Sequence, residues 1–361
     1  MENLVRKVRL ERSFWKNKKV FLTGHTGFKG SWLTIWLNYL GAEVLGFSLD
    51  PITNPNLFTE ADLSGDLIDI RGDIRDYNKL SRSMSEFQPE IIIHMAAQPL
   101  VRYSYKEPIE TFTTNIVGTA NIFESARNCT SVKAILNVTT DKCYENMEWD
   151  RAYTENDTLG GHDPYSSSKA CSEIITSAYK KSYLHDAGIS IASARAGNVI
   201  GGGDWSDDRL IPDILNSFEE NKIVVIRNPK SVRPWQHVLE PLSGYLLLVQ
   251  NLYNFGDVFA QPWNFGPYDK DSKQVEYIVN KIKNIWGNDA NWEIDENPNP
   301  HEAKYLKLDI SKAINNLNWE PKWNLDNAIE RIVIWHKSWR NGANVKNLCL
   351  KEIEDYEKYN E

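Results

Sequence analysis

The sequence predicts an α/β protein built on a doubly wound parallel sheet of the Rossmann type, followed by a smaller mixed C-terminal domain. Three observations predict it. A glycine-rich turn joins a short apolar run to an amphipathic helical pattern, apolar runs of strand length then alternate with helical patterns, and this alternation weakens after residue 196. Alternating strands and helices with right-handed crossovers form such sheets, which bind ligands at the carboxyl ends of their strands.

The same pattern divides the chain into four parts. We expect a lead-in segment (1–18), a Rossmann domain (19–195), a second domain (196–350) from which some segments return to the first, and a charged tail (351–361).

Composition excludes several classes of protein. The net charge of -8 argues against a general nucleic-acid binder, and no apolar run reaches membrane-spanning length. The basic N-terminal segment lacks the apolar core of a secretory signal. The four cysteines show no C-x-x-C spacing, which is typical of reduced thiols without structural zinc. We therefore expect a cytoplasmic protein without a metal site that binds neither nucleic acid nor membrane.

Glycines 24, 27 and 30 follow the apolar run Val20–Leu22 and precede a helical pattern. Gly24 permits a tight turn, Gly27 lets a pyrophosphate approach the backbone, and Gly30 lets the helix pack close to the strand. The N–H groups at the helix N-terminus attract phosphates. The spacing is G-x-x-G-x-x-G and not the usual G-x-G-x-x-G, so a purely structural turn stays open. The other residues of this predicted site are His25, Thr26, Phe28 and Lys29.

Later strand ends extend this site. Asp50 ends the second strand, where a carboxylate can bind ribose hydroxyls and favour NAD over NADP, although a turn aspartate before a proline is the alternative. Asp73 follows the third strand and is placed to meet an adenine amino group. The small residues Ala96 and Ala97 end the fourth strand and let a flat cofactor lie against the backbone.

Tyr165 and Lys169 are four residues apart and share one face of a predicted helix. A tyrosine acts as a base only when its pKa falls toward neutrality, and nearby positive charge, here Lys169 together with a positively charged nicotinamide, lowers that pKa. The Tyr-x-x-x-Lys spacing occurs by chance in many helices, but its place after a strand of a glycine-turn domain predicts a catalytic pair.

Together these motifs resemble the extended short-chain dehydrogenase/reductase family, from Lys19 to about Arg340. The resemblance rests on the three glycines, Asp73-Ile74, the Tyr165 and Lys169 pair, and the Arg195-x-x-Asn198 segment with Arg233-Pro-Trp-Gln-His237. Within that family, Thr140-Asp141 resembles the nucleotide-sugar 4,6-dehydratases. The strings at 24–32, 94–102 and 233–237 resemble those members that act on CDP-D-glucose.

The resemblance implies NAD as cofactor and CDP-D-glucose as substrate. The products are CDP-4-dehydro-6-deoxy-D-glucose and water, in the biosynthesis of 3,6-dideoxyhexoses of the lipopolysaccharide O-antigen. It also implies a homodimer or homotetramer, and it adds four cofactor contacts: Ile74, Gln98, Asn115 and Thr139. For Asn115, ordering the active-site helix is the favoured alternative.

The resemblance also implies catalytic roles. Tyr165 takes the proton of the sugar 4-hydroxyl while Thr140 bonds the same oxygen, and Asp141, if protonated, gives a proton to the departing 6-hydroxyl. Most related dehydratases carry a glutamate directly after the Thr-Asp pair, and this glutamate removes the proton at C5. This chain has Lys142 at that position, so Lys142 can be either the base or a positioning group. His25 is bulky where relatives carry a small residue, and we expect it to crowd the pyrophosphate and weaken NAD binding.

For the substrate, the guanidinium groups of Arg233 and Arg209 match paired phosphate oxygens. Asn198 is expected to bond phosphate or nucleotide. The other predicted substrate contacts are Arg102, Leu210 and His237, with a surface salt bridge as the alternative for Arg102 and a packed histidine for His237.

Two rival functions remain. A UDP-sugar 4-epimerase or decarboxylase on the same scaffold also begins with C4 oxidation but needs no acid at Asp141. A non-catalytic NAD-binding module is expected to lack Tyr165 or Lys169, and both are present.

Overall fold

The computed structural model describes residues 9–287, 290–295 and 305–359, and within them the chain forms thirteen strands and thirteen α-helices. The strands are β1 (Lys19–Thr23), β2 (Glu43–Ser48), β3 (Ile68–Arg71), β4 (Ile91–His94), β5 (Ala134–Val138), β6 (Ser190–Ala196), β7 (Val199–Ile200), β8 (Val224–Ile226), β9 (Val232–Pro234), β10 (Gln236–His237), β11 (Pro262–Phe265), β12 (Ser272–Gln274) and β13 (Trp292–Ile294). The helices are α1 (Arg12–Trp15), α2 (Phe28–Leu40), α3 (Leu57–Glu60), α4 (Tyr77–Phe87), α5 (Val101–Lys106), α6 (Pro108–Phe112), α7 (Thr119–Arg127), α8 (Pro164–Tyr179), α9 (Leu210–Glu219), α10 (Leu239–Phe255), α11 (Val275–Trp286), α12 (Leu325–Arg340) and α13 (Val345–Lys358).

Seven strands form one parallel sheet in the order β3-β2-β1-β4-β5-β6-β11. This confirms the predicted doubly wound sheet. Its central strands are apolar throughout because both faces are covered: Ile91 and Ile93 pack in one core and Ile92 in the other. The strand order reverses between β1 and β4, so the ligand crevice opens there, at the carboxyl ends of the strands.

The second part of the chain adds three two-stranded pairs, β7 with β10, β9 with β12, and β8 with β13. Its own core includes Phe218 of α9, Ile278 of α11 and Ile332 of α12. Two segments of this part of the chain contact the seven-stranded sheet: β11 pairs with β6, and α10 packs on β5 and β6. Among the described residues, no helix is long and apolar enough to cross a lipid bilayer.

The lead-in segment is only partly described, since its first eight residues lie outside the described ranges. Its α1 buries Trp15 completely, so this short helix is docked on the core and not merely on the surface.

At the other end of the chain, α13 buries Ile353 and Tyr356 in the main core. The Tyr356 hydroxyl donates to the buried carboxylate of Glu240 (2.6 Å). The prediction of a peripheral charged tail is therefore wrong for residues 351–358. The charged residues are conspicuous in the sequence, but apolar residues recur among them at helical spacing and face inward.

Helix α8 carries the predicted catalytic pair, and local chemistry sets where it begins. Asp163 is its N-cap and accepts a hydrogen bond from the Ser166 N–H (2.9 Å). Pro164 occupies the first helical position, where its missing N–H costs nothing. Tyr165 and Lys169 therefore lie in the first turns of a well-capped helix.

A buried ion pair fastens α8 to the sheet one turn beyond Lys169. The guanidinium of Arg195 on β6 donates to both carboxylate oxygens of Glu173 (3.0 and 2.9 Å), and both residues are almost fully buried. Thr139 and Ser193 donate to the same carboxylate (2.5 and 2.6 Å). The pKa of Glu173 is held below its usual range: burial raises it, but Arg195 and the two hydroxyls outweigh burial.

We predict that Glu173→Gln lowers the free energy of unfolding by about 3–5 kcal/mol, because it leaves the Arg195 charge buried and unpaired. The matched control is Glu124→Gln. Its pair with Arg127 joins side chains that are 31% and 37% exposed, so we expect a loss below about 1 kcal/mol. Urea unfolding at neutral pH measures both, and equal losses for the two variants would contradict the anchoring role.

Candidate active site

The glycine turn after β1 is as tight as the spacing predicts. Gly24 has a φ of 77°, and a Cβ there would lie 2.8 Å from the Ala96 amide at the end of β4. A Cβ at Gly30 would overlap the carbonyl oxygen of Gly24. Gly27 is exposed, and a Cβ there would meet only ordinary contacts. Gly24 and Gly30 are thus required by packing, whereas Gly27 leaves the backbone open to a ligand.

His25 does not stand where the crowding prediction requires, and that prediction is corrected. Its imidazole is fully buried and points under the sheet, where its Nε2 bonds the Asp69 carboxylate (2.9 Å). The ring lies over Gly46, since a Cβ at that glycine would overlap it, and it packs edge-on against Phe58. Burial lowers the pKa of His25. A side chain with no exposed surface cannot crowd a pyrophosphate at the turn.

The other turn residues are held by local contacts. The Thr26 hydroxyl bonds the Ser48 hydroxyl (2.8 Å) and the Leu49 carbonyl (3.0 Å), which ties the turn to the end of β2. Phe28 is half-buried at the start of α2, and Lys29 on the same turn donates to the Tyr245 hydroxyl (3.0 Å).

At the ends of β2 and β3, the predicted carboxylates lie near solvent. Asp50 is exposed, and the Arg71 Nε lies 3.7 Å from its carboxylate. The Asp73 carboxylate is paired with Arg75 (2.6 Å), which holds the pKa of Asp73 below its usual range. Ile74 is buried, so only its backbone can face a ligand. All three positions border the crevice, but Asp73 is already engaged.

In the loop after β4, some residues are partly exposed and others are held by hydrogen bonds within the protein. Ala96 and Ala97 are partly exposed, as expected for a surface that a flat group can cover. The Gln98 side chain instead donates to Thr111 (2.8 Å) and accepts from the Leu100 N–H (2.6 Å). The Gln98 side chain is therefore engaged within the loop, and its role as a cofactor contact stays a prediction.

The side chain of Asn115 is also engaged in hydrogen bonds within the protein. Its amide accepts from the Gln98 N–H (2.8 Å) and donates to the Ser168 hydroxyl on α8 (2.8 Å). It therefore orders the β4 loop and α8, which is the alternative favoured for it. The Thr139 hydroxyl points to Glu173 and away from the crevice.

Three predicted catalytic side chains meet at the end of β5. The Thr140 hydroxyl donates to Asp141 (3.0 Å), and Thr140 lies close enough to Tyr165 to lower the pKa of its hydroxyl. The Lys142 backbone N–H reaches the Thr140 oxygen (3.4 Å) within the helical turn Asp141–Cys143. This single turn brings residues from β5 and α8 to the same point of the crevice.

In the chain by itself, the pKa of Tyr165 lies above its ordinary value. Burial raises it to about 12, although Thr140 and the Arg209 charge lower it, because desolvation of the phenolate outweighs the charges around it. Lys169 donates to the Val138 carbonyl (3.2 Å), and burial lowers its pKa to about 8. The predicted lowering of the Tyr165 pKa counts the positive nicotinamide together with Lys169 and stays a prediction.

Asp141 has the surroundings of a proton donor. It is buried, and burial raises its pKa against the opposing charges of Lys142 and Arg233. Its Oδ2 has no hydrogen-bond partner among the described residues. A Cβ at Gly197 would lie 2.7 Å from that oxygen and 2.6 Å from Pro234. Gly197 thus makes room for a carboxyl aimed into the site.

Two predicted arginines reach this cluster. Arg233 on β9 is buried, and its charge acts on Asp141. Arg209, just before α9, is partly buried, and its charge acts on both Tyr165 and Lys29. Each is a cation at the rim of the catalytic cluster.

Some of the remaining predicted substrate contacts lie beside the catalytic cluster, and others are engaged elsewhere. Asn198 and Leu210 are partly exposed beside the cluster. Arg102 forms a surface salt bridge with Asp208, the alternative named for it. His237 is fully buried between two tryptophans, and its Nε2 lies 3.3 Å from Glu352. His237 is therefore a packed histidine, and its prediction as a substrate contact is corrected.

Sequence reasoning missed two residues of the site. Tyr245 on α10 is fully buried against Lys29, and Glu173 anchors α8. Glu173 follows Lys169 by four residues, a helical spacing that could have identified it. Tyr245 lies in an apolar helical run and gives no comparable signal.

Comparisons with known proteins agree with this geometry. A family model described as GDP-mannose 4,6 dehydratase matches residues 21–332. The CDP-glucose 4,6-dehydratase of Salmonella typhimurium is 53% identical over 352 residues, which cover 96% of this chain and 98% of that protein.

Two solved structures share the fold. The dTDP-glucose 4,6-dehydratase of Bacillus anthracis in complex with NAD has a TM-score of 0.74 at 23% identity and covers 92% of this chain and 99% of its own. The UDP-glucose 4-epimerase of Thermus thermophilus in complex with NAD has a TM-score of 0.77 at 22% identity and covers 90% and 100%. At such identities the likeness is one of fold.

Proposed function

Because the chain belongs to the GDP-mannose 4,6 dehydratase family, we propose that it is an NAD-dependent nucleotide-sugar 4,6-dehydratase acting on CDP-D-glucose. The products are CDP-4-dehydro-6-deoxy-D-glucose and water. The observation that carries this proposal is Asp141, a buried carboxyl with a raised pKa and an unpartnered oxygen, next to the Thr140 and Tyr165 hydroxyls.

The residues around the glycine turn fit NAD. Close packing at Gly24 and Gly30 leaves the exposed Gly27 backbone and the α2 N-terminus free to take a pyrophosphate. Asp50 is free enough to bind ribose hydroxyls, and Lys169 lies at the catalytic end. NAD bound by these residues would supply a positively charged hydride acceptor for oxidation at C4 of the sugar and, once reduced, a hydride donor for C6.

In the oxidation step, Tyr165 takes the proton of the sugar 4-hydroxyl and Thr140 holds the same oxygen. This is supported by the closeness of Thr140 to Tyr165, which lowers the pKa of the Tyr165 hydroxyl. The chain alone leaves the Tyr165 pKa at about 12, so the positive charge at the bound cofactor has to provide the rest of the lowering.

In the elimination step, the new C4 ketone acidifies the C5 hydrogen, and Asp141 protonates the departing 6-hydroxyl. A carboxyl gives up a proton in this way only if it enters the step protonated, and burial favours that form. We propose that Lys142, which follows Asp141 in the same turn, takes the C5 proton, a role that it can fill only in its neutral form. Arg233, whose charge also acts on Asp141, cannot act as a base because a guanidinium does not deprotonate in proteins.

For the substrate, we propose that Arg209 and Arg233 bind the pyrophosphate of CDP-D-glucose, since both bring positive charge to the cluster. Cytidine is supported by the 53% identical relative. A 4-epimerase has no step for Asp141 to serve, which makes it the weaker candidate.

Exposed apolar side chains support self-association. Ile109, Val117 and Ile174 are 73%, 49% and 57% exposed on packed neighbouring helical segments, α6, the turn after it, and α8. We propose that a homodimer forms through this face.

We predict that only CDP-glucose, among the CDP-, UDP-, dTDP- and GDP-glucoses, loses water when incubated with the protein and NAD. Mass spectrometry of each nucleotide sugar measures this. Loss of water from another sugar nucleotide would overturn the cytidine assignment, and a product of unchanged mass with altered chromatography would indicate the epimerase.

We predict that Lys142→Met slows deuterium exchange at C5 by at least about 100-fold, the range expected on losing a general base. Lys142→Arg is the matched control, because it keeps the positive charge but cannot accept a proton. We expect it to lose exchange equally, while C4 oxidation, seen as NADH absorbance on mixing, persists in both. Wild-type exchange in either variant would remove Lys142 from the role of base.

A further inference from the structure

A hairpin (residues 144–160) joins the catalytic turn after β5 to helix α8. Its two arms pair in an antiparallel bridge between Tyr144 and Leu159, and the Gly160 N–H donates to the Cys143 carbonyl (2.9 Å). Cys143 is the last residue of the helical turn that carries the groups for elimination. The first arm of the hairpin is therefore a direct continuation of the catalytic turn.

Three rings of this hairpin form an aromatic stack: Tyr144, Tyr153 and Trp149. The ring centres of Tyr144 and Tyr153 are 5.3 Å apart with their planes at 22°, and those of Tyr153 and Trp149 are 5.9 Å apart with their planes at 11°. Both tyrosines are 1% exposed, whereas Trp149 is 42% exposed. The stack thus runs from the buried start of the hairpin to the protein surface, and stacking of this kind stabilises beyond the burial of area.

An arginine covers each end of the aromatic stack. At the inner end, the guanidinium of Arg195 lies 4.9 Å from the centre of the Tyr144 ring, and this arginine is already held by its buried carboxylate partner on α8. At the outer end, the guanidinium of Arg151 lies 4.1 Å from the Trp149 ring and donates two hydrogen bonds to Asp157 (2.8 and 2.7 Å). A cation over an aromatic face is attracted by the ring, so both ends of the stack are fastened.

The middle ring is fixed from outside the hairpin. The Tyr153 N–H donates to the Lys307 carbonyl, and the Tyr153 carbonyl accepts from the Asp309 N–H (2.9 Å each), in a parallel bridge to Leu308. Tyr153 therefore has a backbone anchor of its own. With Trp149 on its outer face, the Tyr153 ring is kept against the ring that follows the catalytic turn.

Resting on the proposed function, we infer that Trp149 is a positioning residue for the elimination step: by closing the outer end of the aromatic stack, it holds the catalytic turn so that Asp141 and Lys142 meet the sugar. Oxidation at C4 depends instead on Thr140 and Tyr165. These lie at the end of β5 and on α8, which the sheet and the buried ion pair hold without the stack. Loss of the Trp149 ring therefore affects elimination more than oxidation.

The test is a single turnover with the full-length protein and NAD in excess over CDP-glucose. In Trp149→Leu, we expect the rise in NADH absorbance to keep its wild-type rate. We expect its decay, which follows loss of water, to slow about tenfold, below the roughly 100-fold that a displacement of about 1 Å can cost. Trp149→Phe keeps a flat ring in the stack, and we expect it to restore the wild-type decay.

The matched control is Phe255→Leu. Phe255 is an exposed aromatic residue like Trp149, and its ring also packs on another ring, that of Phe259 (6.0 Å). It ends α10 beside Ser190 at the start of β6, at the edge of the sheet opposite the site. We expect this variant to keep both the rise and the decay of the wild type.

Hydrogen exchange of peptides that cover residues 140–160, followed by mass spectrometry without cofactor or sugar, supplies a second readout. The amides of Glu145 and Gly160 close the hairpin, since they donate to the Thr158 and Cys143 carbonyls. We expect these peptides to exchange faster in Trp149→Leu, and at the wild-type rate in the Phe variant and in the control.

Three results would overturn the inference. Wild-type decay of NADH in Trp149→Leu would remove Trp149 from the elimination step. Equal slowing of rise and decay would assign the ring a general structural role. Decay in Trp149→Phe as slow as in Trp149→Leu would exclude the flat ring as the cause. If the wild-type protein removes no water from CDP-glucose, the proposed function itself fails, and the hydrogen exchange still decides whether Trp149 holds the turn.

Discussion

The buried pair between Glu173 and Arg195 is the contact on which the site depends. Glu173 lies one turn beyond Lys169, and its carboxylate receives Arg195 of β6 and the Thr139 hydroxyl at the end of β5. Arg195 also donates to the Tyr144 hydroxyl (2.9 Å), just after the Asp141 turn. One ion pair thus joins α8, two strands and the catalytic loop. A fully hydrogen-bonded charge network is costly to break and holds its members in one geometry.

Burial and neighbouring charges set the pKa values of the acidic and basic groups in the site. Burial raises the pKa of Asp141 and so favours its neutral, proton-donating form, even though the charges of Lys142 and Arg233 act in the opposite direction. Lys29 and Lys169 meet the same desolvation, which lowers the pKa of each lysine. Burial therefore favours the neutral form of the carboxyl and of both lysines, and the arginines Arg209 and Arg233 keep their charge near the cluster.

Much of the fold follows from local pattern. The apolar run Ala134–Val138 forms β5 and the amphipathic run Val275–Trp286 forms α11, because a continuous apolar run and an amphipathic period are local properties. The role of residues 351–358 was not predictable in the same way. Their charge count suggests solvent, and only the assembled core shows where Ile353 and Tyr356 are buried.

For the site, residue type and spacing could be interpreted from the sequence, whereas the direction of the side chains could not. Residue type and spacing bring Thr140, Asp141 and Tyr165 together correctly, because strand ends and helix starts meet at one sheet edge. Side-chain direction is a tertiary property, so His25 and His237 could not be placed from sequence. Each is turned into the core by partners that are distant in the chain, Asp69 and Glu352.

The central claim is that one cluster of residues performs oxidation, loss of water and reduction on a single sugar while the hydride stays with the enzyme. The most direct test is to supply CDP-glucose deuterated at C4 with unlabelled NAD and to locate the label in the product by NMR. The account predicts deuterium at C6 of the 4-keto-6-deoxy sugar. Deuterium in NADH released to solution, or retained at C4, would contradict it.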